Sequence, residues 1–308
     1  MANEKLKIIY IASSGRSGST ILDLLLGAHP SCWTLGEFHI LPWELRTHVK
    51  PCGCGDSVEN CPFWGSIVGE LQDVLLHGSI SRFRDSYWGS RPLLFGEIPF
   101  LASQSPWHRQ KRKEQLHKYG CDNERVLTKV LDRAKALKGD QVTWLVDASK
   151  SVYRLLWLKE AGQFDVRVIH LVKDPRAFVY SMCKNRPGLS RPWWLWKAAL
   201  RWNVENRLFD RLFQKHFTAN EVLRMRYDDL ASDPQSCLGR ISKWLDVSAD
   251  DRLPDKFRIE NHGIAGNPSR FETGGIRLDE KWRVELRRGS QLLVRAATSG
   301  PARRYGFS

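Results

Sequence analysis

The sequence has no run approaching the ~18 consecutive apolar residues of a membrane span. No secretory leader is expected either, since Met1 to Tyr10 is charged and passes straight into a strand-like segment. A soluble, cytoplasmic protein is the resulting expectation. Acid is in short supply, with 34 Asp+Glu against 48 Lys+Arg, and the +14 that remains should draw anions. Nucleic acid, anionic lipid and a polyanionic small molecule all fit that charge. No helix-turn-helix, RNA-recognition or metal-finger signature accompanies it, so a nucleic-acid-binding protein has only the charge in its favour. Repeats, low-complexity runs and separating linkers are absent as well. The 308 residues, 42% hydrophobic, therefore suffice for one substantial core, and 1–308 is expected to form a single domain.

Seven cysteines are an odd number, four early (Cys32, Cys52, Cys54, Cys61) and three scattered (Cys121, Cys183, Cys237). Reduced thiols, not a disulfide framework, are the default for such a chain. Residues 6–13 (LKIIYIAS) read as a buried strand ending in Ser-Ser-Gly, and Ile21 to Ala28 as a helix stopped by His29-Pro30. Further strands are expected at 142–147, 166–172 and 221–227, with helices over about 107–137, 151–161, 175–185, 194–216 and 234–246. That alternation predicts an α/β fold, a mainly parallel central sheet flanked by helices, with a helical insertion around 63–137. Residues 107–118 carry five Lys/Arg and 277–308 carry eight against three acids, patterns that ordinarily mark solvated helix faces.

The most informative segment is Ser13-Ser-Gly-Arg-Ser-Gly-Ser-Thr20, between a strand and a helix. Backbone N–H groups at such a turn, with the helix N-terminus behind them, suit a phosphate-like group. Against the Walker pattern G-x-x-x-x-G-K-[ST], Ser13 stands at the first glycine and Ser19 at the lysine. The missing lysine argues against a P-loop-type nucleotide-dependent kinase. Arg16 offers a cation earlier in the loop, with a planar fork suited to a tetrahedral oxyanion. A second strand-to-helix passage, Leu171-Val-Lys-Asp-Pro-Arg-Ala-Phe-Val-Tyr-Ser181, puts Lys173 at a strand's carboxyl end, where open α/β sheets bind ligands. Taken alone, its Asp174-Pro-Arg176 is a capped helix with a local salt bridge.

Together the two segments resemble the sulfotransferase family that uses 3′-phosphoadenosine 5′-phosphosulfate (PAPS), a P-loop-like fold. Residues 13–30 are similar to its 5′-phosphosulfate loop, and 171–182 to its 3′-phosphate motif, with Lys173 where arginine is usual. Leu35-Gly-Glu37, Asp147-Ala-Ser-Lys150, Arg226-Tyr-Asp-Asp-Leu230 and His262-Gly-Ile-Ala-Gly-Asn-Pro-Ser-Arg270 follow in the family's order. Arginine in the loop resembles the bacterial and tyrosylprotein-type branches. The resemblance implies that Ser14, Gly15, Arg16, Ser17, Gly18, Ser19 and Thr20 hold the 5′-phosphosulfate. It assigns Lys173 and Ser181 to the 3′-phosphate, Arg186 to an extension of that site, and Tyr227, Asn267 and Arg270 to elements covering the cofactor. Lysine for arginine at 173 keeps charge but loses bidentate geometry.

The resemblance further implies transfer of a sulfonate from PAPS to a hydroxyl or amine, leaving 3′-phosphoadenosine 5′-phosphate (PAP). Such chemistry needs cations on the leaving phosphate and a base for the acceptor proton, with no metal required if Arg16 and Lys150 supply the charge. Glu37 matches the family's acidic base; an exposed loop carboxylate is the plainer alternative. His39 and His48 are other candidate bases, since histidine titrates near neutrality. Trp193, Trp194, Trp196 and Trp202 read either as core or as an acceptor wall. Cys52-Gly-Cys54-x6-Cys61 leaves zinc, with His39 or His48 as fourth ligand, beside plain packing and a disulfide; the spacing is not a standard zinc pattern. The acceptor, expected to be a small molecule, glycan or lipid, is not encoded in any motif.

Overall fold

Strand β1, Leu6–Ala12, is the centre of the sheet, and after Lys7 it is buried on both faces. Ile8 and Tyr10 point into one core and Ile9 and Ile11 into another, as period-two alternation in a doubly covered strand requires. In this computed structural model, residues 4–80, 106–184, 192–248, 261–271, 276 and 278–307 are described. Four further strands are β2 (Cys32–Gly36), β3 (Trp144–Asp147), β4 (Phe164–Val172) and β5 (Val222–Arg226). The spatial order is β2-β3-β1-β4-β5, and every pairing is parallel.

Helices cover both faces. On one side, α1 (Ser19–Ala28) inserts Leu22, Leu25 and Leu26 beside Ile9 and Ile11. It ends at His29, which is extended because the following Pro30 disfavours helical geometry in the residue before it. On the other side lie α2 (Leu41–Thr47), α3 (Trp64–His77), the 33-residue α4 (Pro106–Lys138) and α5 (Val152–Ala161). Then come α6 (Pro175–Cys183), α7 (Pro192–His216), α8 (Tyr227–Ser232), α9 (Pro234–Leu245), the short α10 (Trp282–Glu285) and α11 (Arg288–Arg304). The expected α/β architecture with its mainly parallel sheet is observed. Strand β2 was not among the expected strands: its five residues, CWTLG, are buried almost throughout and show no alternation. Of the insertion around 63–137, residues 81–105 lie outside the described ones.

The connection from β3 to α5 is fixed by a buried ion pair. Asp147 Oδ2 meets Arg154 Nε at 2.8 Å with neither side chain exposed. Arg154 Nη1 also donates to Tyr119 Oη (2.6 Å) and Asn123 Oδ1 (2.9 Å) of α4, so one guanidinium joins sheet, turn and long helix. Asp147 Oδ1 accepts the Ser149 N–H at 2.9 Å, and Ser151 N–H donates to Tyr10 Oη at 2.8 Å. The turn carrying Lys150 is thereby held at both ends. Breaking such a pair from one side leaves an uncompensated buried charge, roughly 3–5 kcal/mol. Arg154→Met should lose stability in that range by urea unfolding; a loss below about 1 kcal/mol would show the network to be dispensable.

Candidate active site

In a parallel sheet all carboxyl ends lie on one edge, and here each strand delivers a different group to it. Glu37 follows β2, Lys150 follows β3, residues 13–18 follow β1, Lys173 follows β4 and Tyr227 follows β5. The chain leaves β1 toward β2 on one side, whereas β4 leads to β5 on the other. The crevice between β1 and β4 is therefore the switch point at which open α/β sheets bind ligands.

The loop after β1 is shaped for an anion. Arg16 (φ 72°) and Gly18 (φ 86°) both adopt left-handed backbone, which turns successive N–H groups toward one concavity. The first N–H groups of α1 have no intrahelical acceptor, and Gly18 supplies no side-chain cap. Ser13 and Ser17 are buried with hydroxyls that find no partner among the described residues, an arrangement that costs free energy unless a ligand satisfies it. Ser14 Oγ accepts from Asn206 Nδ2 at 3.3 Å. Gly18 is required for a second reason: a Cβ there would lie 2.2 Å from Cδ2 of Tyr227.

Tyr227 thus lies directly over the loop, and Lys173 Nζ sits 4.5 Å from its ring centroid. Lys173 is only 7% exposed, and burial lowers its pKa, with Arg16 adding to the effect and Asp279 and Asp228 opposing it. A buried ammonium packed on a ring, with no carboxylate ion-paired to it among the described residues, is electrostatically ready for an anion. Helix α7 supports both halves: Trp202 Nε1 donates to the Lys173 carbonyl (3.0 Å), while Asn206 holds Ser14. Asp174 caps α6 through the Arg176 N–H and pairs with the Arg176 guanidinium (2.6 Å), the local reading of that motif. Ser181 is half-buried on the same helix, two turns on; Arg186 lies outside the described residues.

At the other end of the edge, Lys150 Nζ meets Glu37 Oε1 at 2.7 Å, both mostly buried. Lys150, like Arg16, is a non-glycine residue in left-handed backbone (φ 60°), and so is Ala265 (φ 53°). Such strain collects at functional sites, where surrounding packing over-determines it. Thr20, Asp23, Glu37, Lys150, Ala265 and Arg270 line one small cleft. The late segment closes it: Ile264 pairs with β2, accepting from Glu37 N–H (2.8 Å) and donating to the Leu35 carbonyl (2.9 Å). Arg270 Nη1 and Nη2 donate to the carbonyls of Gly263 (3.2 Å) and Pro51 (2.6 Å), so this side chain anchors the segment. Asn267 is half-buried beside it, and its carbonyl accepts the Arg270 N–H at 3.0 Å.

His39 is buried, with its N–H donating to Ser149 Oγ (3.2 Å), and neither it nor His48 lines the cleft. His48 ends α2 in an exposed position 3.8 Å from Glu59. Of the tryptophans, Trp202 is core, whereas Trp193 and Trp196 are exposed and stacked with centroids 5.9 Å apart. Sequence reasoning missed Asp23. A carboxylate inside the apolar run Ile21–Ala28 was the available signal.

A family model described as the sulfotransferase family matches residues 107–251, which include the Lys173 motif and Tyr227 but not the loop at 13–20. The fold is that of the sulfotransferase domain from the Synechococcus PCC 7002 olefin synthase, with a TM-score of 0.54 at 23% identity, covering 98% of this chain and 97% of that one. The sulfotransferase domain from the curacin biosynthetic pathway gives a TM-score of 0.52 at 17% identity, covering 99% of each chain. Fold and family model agree: the matched span is similar to the sulfotransferase family, and the whole chain has the fold of sulfotransferase domains. A comparison with curated proteins gives no match.

Within this candidate site, Asp23 is fully enclosed. Burial raises its pKa to about 7, although Thr34 Oγ1 donates to Oδ1 at 2.6 Å. Between the unfolded carboxyl's pKa near 3.9 and the folded value near 7, the folded state holds a proton that the unfolded chain has lost. Stability from this group therefore falls as pH rises through that window. Asp23→Asn keeps the hydrogen-bond acceptor and removes the titration. It should match the parent near pH 4 and exceed it at pH 8 by up to about 4 kcal/mol, at 1.36 kcal/mol per unit. Parallel pH–stability curves for the two proteins would show that Asp23 titrates normally.

Proposed function

We propose that this protein transfers a sulfonate group from PAPS to a hydroxyl or amine of an acceptor, a small molecule in our reading, in the cytoplasm. The observation that carries the proposal is the ordered edge of the sheet. An anion loop with two hydroxyls and a buried lysine that have no hydrogen-bond or ion-pair partner among the described residues flank the switch point, and a carboxylate–lysine pair stands two strands away. These residues fit the donor: residues 14–20 would hold its 5′-phosphosulfate, Lys173 and Ser181 its 3′-phosphate, and Tyr227 its nucleoside side. Asn267 and Arg270 belong to the covering segment, and Arg270 acts there as its anchor. When bound, PAPS supplies an activated sulfonate whose S–O bond to phosphate breaks as the acceptor atom bonds to sulfur.

The chain's own residues then have separable tasks. Arg16 and the first-turn N–H groups of α1 hold negative charge where the leaving phosphate gains it. Glu37 takes the acceptor proton. Lys150, already within 2.7 Å, holds that carboxylate in place and offers its ammonium to the sulfonate oxygens. Lys173 regains a charge partner on binding, which offsets part of its burial cost.

PAP at ~100 times its dissociation constant should stabilise the fold by about 2.7 kcal/mol, several degrees in melting temperature. ATP with magnesium should do much less; an equal or larger shift would favour a nucleotide-dependent kinase. With an acceptor found by screening classes against labelled PAPS, Glu37→Gln should lose ~10²–10⁴ in turnover. PAP affinity should stay nearly unchanged, because Glu37 touches no phosphate in this assignment. Near-normal turnover in Glu37→Gln, with collapse in His39→Ala or His48→Ala, would move the base to that histidine.

A further inference from the structure

Outside the sulfonate-transfer site lies a second constellation, which the transfer chemistry does not use. Cys52, Cys54, Cys61 and His262 bring one ligand atom each to within 4.8 Å of one another. The three cysteines fall within ten residues, but the histidine arrives from the closing segment some two hundred residues later. Neither His39 nor His48, the fourth partners suggested by sequence proximity, takes that place.

The separations can be compared with a definite geometry. Zinc–sulfur bonds of about 2.3 Å and zinc–nitrogen bonds of about 2.0–2.1 Å in a tetrahedron imply S···S edges near 3.8 Å and S···N edges near 3.5 Å. Here Cys61 Sγ lies 3.5 Å from Cys52 Sγ, 3.7 Å from Cys54 Sγ and 3.2 Å from His262 Nδ1. A disulfide would need a sulfur pair at about 2.05 Å. Ordinary packing has no reason to gather three thiols and an imidazole nitrogen at tetrahedral spacing.

The surroundings hold these ligands in place. Cys52, Cys61 and His262 are buried, and Cys54 closes the cluster from the solvent side. The first two cysteines lie in one tight turn, with Gly55 N–H donating to the Cys52 carbonyl at 3.0 Å. Gly53 N–H donates to the Gly263 carbonyl at 3.1 Å, and a Cβ on Gly53 would lie 1.8 Å from Asn261 Oδ1, so glycine alone permits this approach. The Trp64 N–H points to Cys61 Sγ at 3.5 Å, and Trp64 Nε1 donates to the His262 carbonyl at 2.6 Å. The imidazole stacks on Phe63 and Trp33, at centroid distances of 5.3 and 6.1 Å, which fixes its plane with Nδ1 toward the sulfurs. Outer contacts of this kind orient metal ligands in known sites.

We infer that Cys52, Cys54, Cys61 and His262 form a structural zinc site that ties residues 52–64 to the segment closing the active-site cleft. Soft thiolates with one imidazole select zinc among common divalent ions, and four protein ligands leave no open position for chemistry. The tie has a direct consequence. His262 lies two residues before Ile264, whose bridge to β2 positions the Glu37 backbone, and eight before Arg270. Zinc therefore fixes the wall of the cleft without touching a reacting atom. The inference stands whether or not PAPS is the donor.

The test uses the full chain, purified under reducing conditions without chelators or added metal. Elemental analysis should find about one zinc per chain, released on titration with a mercurial thiol reagent. Replacing it with cobalt(II) should give sulfur-to-cobalt charge-transfer bands and the intense visible bands of a tetrahedral ion. Cys54→Ser, at the solvent side where folding is least at risk, should lose the zinc and the cobalt spectrum, as should His262→Ala. Cys121→Ser, an exposed thiol on α4, should keep both. Folding of each variant is checked by far-ultraviolet circular dichroism. A reduced, folded parent chain that holds neither zinc nor cobalt overturns the inference, as does a Cys52–Cys61 disulfide in the protein as isolated. Zinc retained in both Cys54→Ser and His262→Ala also overturns it.

Discussion

Parallel pairing is the constraint on which the rest of this structure depends. It sends all five strands the same way, so five connections must leave from one edge. The order β2-β3-β1-β4-β5 then sets which functional groups are neighbours. Adjacent strands lie about 4.8 Å apart, so each group's place along the edge is set to within one strand spacing before any side chain is chosen. Glu37 and Lys150 meet because β2 and β3 are neighbours, and the loop and Lys173 face each other because β1 and β4 are. The helices refine these placements. Helix α7 reaches under two strand ends at once, through Trp202 to Lys173 and through Asn206 to Ser14.

Strain and charge are concentrated at that edge and balanced away from it. Arg16 and Lys150 occupy left-handed backbone that ordinarily costs a side-chain-bearing residue roughly 1–2 kcal/mol each. The turn at Lys150 can sustain this because the Asp147–Arg154 pair and the Tyr10–Ser151 hydrogen bonds hold it on either side. The loop at Arg16 is held by Gly18 beneath Tyr227 and by Asn206 on Ser14. Lys173 is the reverse case: its burial disfavours its own charge, and Asp279 and Asp228 offset that only in part. A site with that imbalance gains by binding an anion, which is how stability given up in the free protein becomes affinity.

What was legible in the sequence was local. The strand–turn–helix at 6–28 is written in an apolar run, a glycine-rich turn and a second apolar run, and it folds as read. Asp174 and Arg176 form the expected cap because both partners sit within one turn. Helix limits near 106–138, 152–161 and 234–245 follow their periodicity and caps. The Glu37–Lys150 contact was not legible, since it joins residues 113 apart through strand order alone. The same holds for His262 beside Cys61, separated by 201 residues. Strand β2 escaped because burial on both faces erases the alternation that marks a strand, and Asp23 because a carboxylate in a helix gives no sign of whether it is enclosed.

The two ends of the edge also differ in what anchors them. The β1–β4–β5 end rests on long elements of the central chain, with α7 beneath it, and most of it falls within the span matched by the sulfotransferase family model. The β2–β3 end is finished by pieces from both extremities of the chain. Residues 36–64 meet residues 261–270 through the Gly36–Ile264 bridge, the Arg270 contacts and the Lys50 Nζ donation to the Gly266 carbonyl at 3.1 Å. Under the proposed function, a donor held at the first end would keep its phosphates against fixed strand ends and a helix terminus. On the same proposal, an acceptor approaching Glu37 would instead meet a wall built from these two short segments. Under the proposed function, this division lets donor recognition stay constant while acceptor choice is set by the 36–64 and 261–270 segments.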